Sequence, residues 1–394
     1  MKKLLIISIL YLAFLAPNLA LAGELNISGW IPYWSIKEGI NDARKNLDKL
    51  DVIHPFGYVV KKDGTLNDLA ELKKSGWKKL IKEARSKGVN IIPTVMTSDT
   101  EGIHNILSSD KLRAKHIREI VKIIDKGKFD GIDIDYEGKK VETREYFSKF
   151  LSELKNEIGD KVLSCTIEPR TPPSSLYKKI PEKLDYVNDY NVIGKVCDRV
   201  NIMAYDQMRA DLKLNESKSG EPYYPISDID WVKKVVELTK KTIPKEKITL
   251  GVATYGREYE VTASKDSFSY KRLWSVSHSY ANDLANGLGV EPSRNRAGEI
   301  SYAYVATTSD VVFPSNLKIP SKASSGMTTA YKALAYAGKT GKDIKFNLVW
   351  WSDAEAIKQK LELAKSLGLY GVSVFKIDNK EDQALWEIVD KLAK

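Results

Sequence analysis

Cysteine and histidine are scarce in this 394-residue chain, which has two cysteines and four histidines. Two cysteines, Cys165 and Cys197, cannot build a disulfide scaffold. The histidines, His54, His104, His116 and His278, show no H-E-x-x-H or other paired spacing, so a histidine-based metal site has no support. No G-x-G-x-x-G or P-loop lysine motif follows an early strand, which leaves nucleotide folds without their phosphate loop. A G-x-S-x-G elbow is missing too, which removes the common serine hydrolases. With 24 glycines and 14 prolines, collagen-like and low-complexity readings fail. What is present is a globular balance, 43% hydrophobic and 29% charged, with a formal charge of +10. That content excludes disorder as the main state and supplies a substantial core.

The only long apolar run is N-terminal. Lys2 and Lys3 precede an apolar stretch from Leu4 to Leu15, and Ala20-Leu21-Ala22 offers a small-x-small cleavage site. This is the plan of a secretory signal peptide over residues 1–22, with a retained anchor as the alternative. The run is too short to span a hydrocarbon core of ~30 Å comfortably. A secreted, periplasmic or wall-associated protein is expected, with no integral membrane segment after cleavage. Its positive charge suits anionic surfaces such as wall polymers, or is simply a lysine-rich solvated surface. Nucleic acid is not an expected partner, since no binding module is recognisable. A monomer is expected, since nothing suggests a coiled coil or repeat interface. Cys165 and Cys197 fall near neighbouring strands, so a disulfide and two buried thiols both stay open.

From residue 24 onward, short apolar β-branched runs alternate with charged segments of helical period. Eight strands are expected: Leu25–Ile31, Val52–Val60, Asn90–Val95, Gly131–Asp135, Val162–Ile167, Val200–Ala204, Ile248–Thr254 and Gly371–Phe375. Near-continuous apolar strands between helices imply a parallel sheet covered on both faces. Eight such units predict an α/β fold, a (β/α)8 TIM barrel over residues 23–394, rather than an open doubly wound sheet. The spacing breaks once, at about 258–346. A small α+β insertion between the seventh strand and the seventh helix is expected there, walling a cleft at the active-site end.

The segment Asp130-Gly131-Ile132-Asp133-Ile134-Asp135-Tyr136-Glu137 carries the most chemistry. Strand side chains alternate faces, so Asp133, Asp135 and Glu137 share one and the isoleucines the other. In a barrel the acids point inward, with Glu137 nearest the C-terminal rim. Burial and like charge raise their proton affinity, which suits a general acid near neutral pH.

This segment resembles the D-x-x-D-x-D-x-E signature of glycoside hydrolase family 18, the chitinase and N-acetylglucosaminidase family. Met203-Ala204-Tyr205-Asp206 resembles that family's M-x-Y-D motif, and Gly251–Arg257 and Trp351–Asp378 resemble its last two strands. The resemblance covers essentially the whole chain after the leader. It implies a retaining glycosidase in which the sugar's own acetamido group attacks the anomeric carbon. Glu137 would be acid and then base. Asp135 would hold the acetamido N–H, and Asp133 would share a proton with Asp135. Tyr205 would bond the acetamido group, and Asp206 would touch the sugar or Glu137. Met203 and Tyr255 fall in the matching motifs as substrate-binding candidates. No cofactor or metal is implied. The substrate is a polysaccharide or oligosaccharide containing N-acetylglucosamine.

Two departures stand out. The third strand, Ile91–Thr97, lacks the family's Ser-x-Gly-Gly. The tryptophan usual on the eighth strand is absent, leaving Phe375 as the sugar floor. Gly29–Trp34, Pro55–Tyr58 and the turn Lys62–Thr65 resemble the bacterial cell-wall branch, which includes spore cortex-lytic enzymes. Within these residues no LysM repeat is present. Peptidoglycan or short oligosaccharides are therefore expected over crystalline chitin, with Tyr33, Trp34 and Tyr58 as candidate sugar platforms. Two other readings stand beside this one. A chitinase-like lectin would bind sugar without turnover, although such proteins typically lose the acid at Glu137. A magnesium-dependent hydrolase would use the carboxylates as oxygen ligands.

Overall fold

The computed structural model describes residues 24–306, 310–321 and 323–393, so the leader expected over residues 1–22 lies outside them. The parallel strands Asn26–Pro32, Val52–Val60, Asn90–Ile91 with Thr94–Thr97, Gly131–Tyr136, Val162–Ile167, Arg199–Ile202, Ile248–Ala253 and Gly371–Phe375 form a closed barrel. Closure comes from the first strand, which pairs in parallel with both the second and the eighth. The third strand is split around Pro93, which has no N–H to give the ladder. All eight strands lie where the apolar runs placed them.

The helices follow from the charged segments. In Asp110–Gly127, Ile117, Ile120 and Ile124 recur at helical spacing and are buried against the barrel. Ser109 starts this helix by accepting the Leu112 N–H at 3.3 Å. It ends where Lys128 turns left-handed at φ 50°. Among the described residues no helix is long and apolar enough to cross a membrane.

The insertion is a five-stranded antiparallel sheet with two long helices, His278–Leu288 and Thr328–Thr340. It runs from Tyr255 to Trp351, wider at both ends than the 258–346 expected. The reason is that Tyr255–Ala263 pairs with Ile344–Trp351 along nearly its full length, so the sheet grows directly out of the seventh strand. A small core of its own includes Val276, Tyr302, Val349 and Trp351. Buried Glu299 ties the insertion down. It accepts from Trp350 Nε1 at 2.7 Å and from the backbone N–H groups of Ile226 and Ser227 at 2.9 and 3.2 Å. Those amides belong to the loop after the sixth strand, so one carboxylate locks the cleft wall to the barrel rim.

Cys165 in the fifth strand and Cys197 just before the sixth are joined by a disulfide. It closes a loop of 32 residues in sequence separation. The Cys165→Ala/Cys197→Ala variant should lose about 3–4 kcal/mol of unfolding free energy, read by urea titration. An unchanged midpoint together with two titratable thiols in the parent would contradict the bridge.

Candidate active site

The fourth strand presents its inner face as the alternation requires. Ile132, Ile134 and Tyr136 pack outward, and Asp133 and Asp135 point into the barrel. Glu137 stands just past the strand end, where its N–H still bonds Thr97 O at 2.9 Å.

Asp133 is fully buried and surrounded by donors. Thr94, Ser164 and Thr166 hydroxyls bond it at 2.8, 2.8 and 2.9 Å, and Trp30 Nε1 at 3.3 Å. Both Asp133 oxygens are engaged by these neighbours, and among the described residues no hydrogen bond joins the two acids. Asp133 therefore sits beneath the site as an anchor.

Asp135 differs. It lines the cleft, yet its Oδ1 is buried with no hydrogen-bond partner. Burial first, then the charges of Glu137, Asp133 and Glu168, push its proton affinity well above the usual carboxylate range. Glu137 is raised too, by burial and then by Glu168, against the opposing charge of Lys139.

The other walls come from three elements. Tyr205, after the sixth strand, stacks on Phe375 at 5.8 Å between centroids. Burial raises its hydroxyl, which keeps it a proton donor. Asp206 adopts φ 52°, a left-handed conformation uncommon outside glycine. Its carboxylate is held by Arg257 Nη2 at 2.6 Å and Tyr255 OH at 2.9 Å. Phe375 forms the floor, in edge contact with Trp30, Phe56 and Tyr255. Met203 lines the same cleft, whose volume is about 720 Å³.

Two expected platforms are elsewhere. The ladder between the second and third strands shifts register around Gly57, from Phe56 opposite Thr94 to Tyr58 opposite Val95. That extra residue puts Tyr58 on the outer face, over a separate cavity lined by Leu66, Leu72 and Phe129. A Cβ on Gly57 would come within 2.3 Å of Ala70 Cβ, so the bulge needs glycine. Tyr33 packs against the core, while its neighbour Trp34, 52% exposed, reaches the cleft.

Four contributors went unnoticed in the sequence. Trp274, 49% exposed, faces the cleft from the insertion. Arg257 clamps Asp206 from the same sheet, and its place at the end of the seventh-strand motif was the available signal. Lys139 and Glu168 meet behind Glu137 at 3.5 Å. Their 29-residue separation gave no signal. Among the described residues no group of His, Cys, Asp or Glu is arranged to hold a metal ion.

The family model of Glycosyl hydrolases family 18 matches residues 27–380. This chain belongs to glycoside hydrolase family 18. The cortical fragment-lytic enzyme of Bacillus anthracis is 25% identical over 350 residues, covering 87% of this chain and 68% of that protein. An uncharacterized glycosylase, YvbX, of Bacillus subtilis strain 168 is 22% identical over the full length of both chains. The crystal structure of a class V chitinase from Pseudomonas fluorescens Pf-5 superposes with a TM-score of 0.70 at 21% identity. It covers 94% of this chain and 100% of that one, and shows the fold that this family-18 chain adopts.

The donor cage gives a stability prediction. Asp133→Ala leaves three buried hydroxyls without their acceptor and should cost about 2–4 kcal/mol in urea unfolding, with Asp133→Asn costing less. A neutral Asp133→Ala would show that the cage does not hold the barrel interior.

Proposed function

We propose that this family-18 chain is a retaining glycosidase that cuts the β-1,4 bond next to N-acetylglucosamine, assisted by the substrate's acetamido group. The observation that carries the reading is the buried, unpartnered Oδ1 of Asp135, a residue that lines the cleft with Glu137. A buried acceptor without a donor is costly, and an acetamido N–H is the donor this reaction brings.

The steps follow from the side chains. Glu137 gives its proton to the glycosidic oxygen as the C1–O bond breaks. The acetamido oxygen bonds C1 from the other face, giving an oxazolinium ion whose N–H is held by Asp135. Water then attacks C1, Glu137 takes its proton, and the ring opens back to the acetamido group with retained configuration. The Tyr205 hydroxyl donates to the acetamido oxygen. Phe375 carries the sugar face, and Asp206, fixed by Arg257 and Tyr255, meets the sugar hydroxyls or Glu137. Such pre-oriented groups supply much of the rate.

Peptidoglycan or its fragments are the proposed polymer. The support is the cortical fragment-lytic relative and the wall-branch segments of the sequence. Trp34 and Trp274 offer exposed rings at the cleft for further sugars. A leader over residues 1–22 and the disulfide fit secretion, a periplasmic place or a wall-bound one.

Glu137→Gln should reduce turnover of N-acetylglucosamine oligomers and purified peptidoglycan by about 10²–10⁴-fold while binding is kept. Because the acid step needs Glu137 protonated and burial raises its proton affinity, the alkaline limb of parent activity should lie above the range of an ordinary glutamate, and activity should fall as pH rises through it. Mass spectrometry of products would show N-acetylglucosamine-ended fragments from the parent alone. Tight binding without turnover by either form would make the chain a lectin.

A further inference from the structure

Behind Glu137 lies a buried ion pair that the reaction scheme leaves unused. The Lys139 side chain is 0% exposed, and its Nζ sits 3.5 Å from Glu168 Oε2. The same ammonium donates to the Tyr136 carbonyl and lies 4.7 Å from the Phe147 ring centroid. Glu168, just past the fifth strand, has its other oxygen on the Gly138 N–H at 3.0 Å. Asn188 Nδ2 donates to Oε2 at 2.9 Å. Gly138 turns the chain at φ 66°, directly after Glu137. One carboxylate therefore holds both the turn that follows Glu137 and the ammonium buried behind it. Burying a lysine ammonium is expensive unless paired, and an apolar side chain of similar length would fill the space without that cost.

We propose that Lys139 and Glu168 are a positioning couple that fixes Glu137 at the cleft rim, through the turn that follows it, and balances the charge around its carboxyl. The proposal rests on the glycosidase reading for its consequence in turnover, but not for its physical basis. The charged and titratable groups around Glu137 are Asp135 on its own strand, Glu168 after the fifth strand, Tyr205 and Asp206 after the sixth, with Arg257 behind Asp206, and Lys139 beyond the turn. Lys139 opposes the carboxylates; Glu168 adds to them. Burial pushes Lys139 down, and Glu168, Asp135 and Glu137 oppose that shift. Burial alone would raise Glu168, yet Lys139 and the Asn188 and Gly138 donors keep it below the usual range. Paired at 3.5 Å, the two side chains act on Glu137 with opposite sign.

Opposite signs give the test. Lys139→Met leaves Glu168 unopposed, so Glu137 should hold its proton to higher pH. Glu168→Gln leaves Lys139 unopposed, so Glu137 should release its proton at lower pH. Each shift should be about one pH unit, and the double variant should return near the parent. The direct readout is the carboxyl-carbon NMR titration of Glu137 in the full chain, assigned by its loss in Glu137→Gln. The alkaline limb of the pH–rate profile on N-acetylglucosamine oligomers should move in the same two directions. Shifts of equal sign, or an unmoved midpoint in both single variants, would overturn the couple and leave a merely structural ion pair. If the parent shows no turnover, the glycosidase reading fails while the NMR titration still decides this proposal. Should Lys139→Met not fold, Glu168→Gln alone must shift downward for the proposal to stand.

Discussion

The constraint on which the rest depends is the placing of three carboxyl groups in one inward stripe of a barrel strand. Buried acids with like-charged neighbours are among the costliest arrangements a fold can hold. The barrel treats each acid differently. Asp133 is surrounded by hydroxyl and indole donors from the first, third and fifth strands. Asp135 is left with an open acceptor. Glu137 stands at the rim with a buried ammonium behind it. The bottom of the stripe is saturated and the top is unsatisfied, so the polar demand of the strand is directed into the cleft.

The insertion completes what the barrel begins. Its first strand continues the seventh barrel strand, and Arg257 on it fixes Asp206. Glu299 binds the insertion to the loop that follows the sixth strand. The cleft wall and the residue it orients are therefore parts of one hydrogen-bonded unit. Loss of the insertion would leave Asp206, already in a left-handed conformation, without its clamp.

How much was legible in the sequence follows from range. The eight strands and the inward acids depend on local alternation, which a single chain displays directly. Met203, Tyr205, Asp206, Tyr255 and Phe375 were placed by motif and meet in one cleft. Tyr58 was misplaced because one glycine bulge reverses the facing of the residues after it, and alternation alone does not reveal a bulge. Tyr33 and Trp34 were indistinguishable as neighbouring rings; only packing separates the core residue from the cleft residue. The insertion reaches from Tyr255 to Trp351 because its first strand continues the seventh barrel strand and pairs with its last. Trp274 and the Lys139–Glu168 pair depend on contacts between distant segments, which carry no periodic signature.

The central claim is that Asp135 and Glu137 act through the substrate's own acetamido group. Its most direct test is to compare initial rates on an N-acetylglucosamine oligomer and on the same oligomer stripped of its N-acetyl groups. The account predicts cleavage of the acetylated oligomer alone. Comparable rates on both would show that the open acceptor on Asp135 does not wait for an acetamido N–H, and would contradict it.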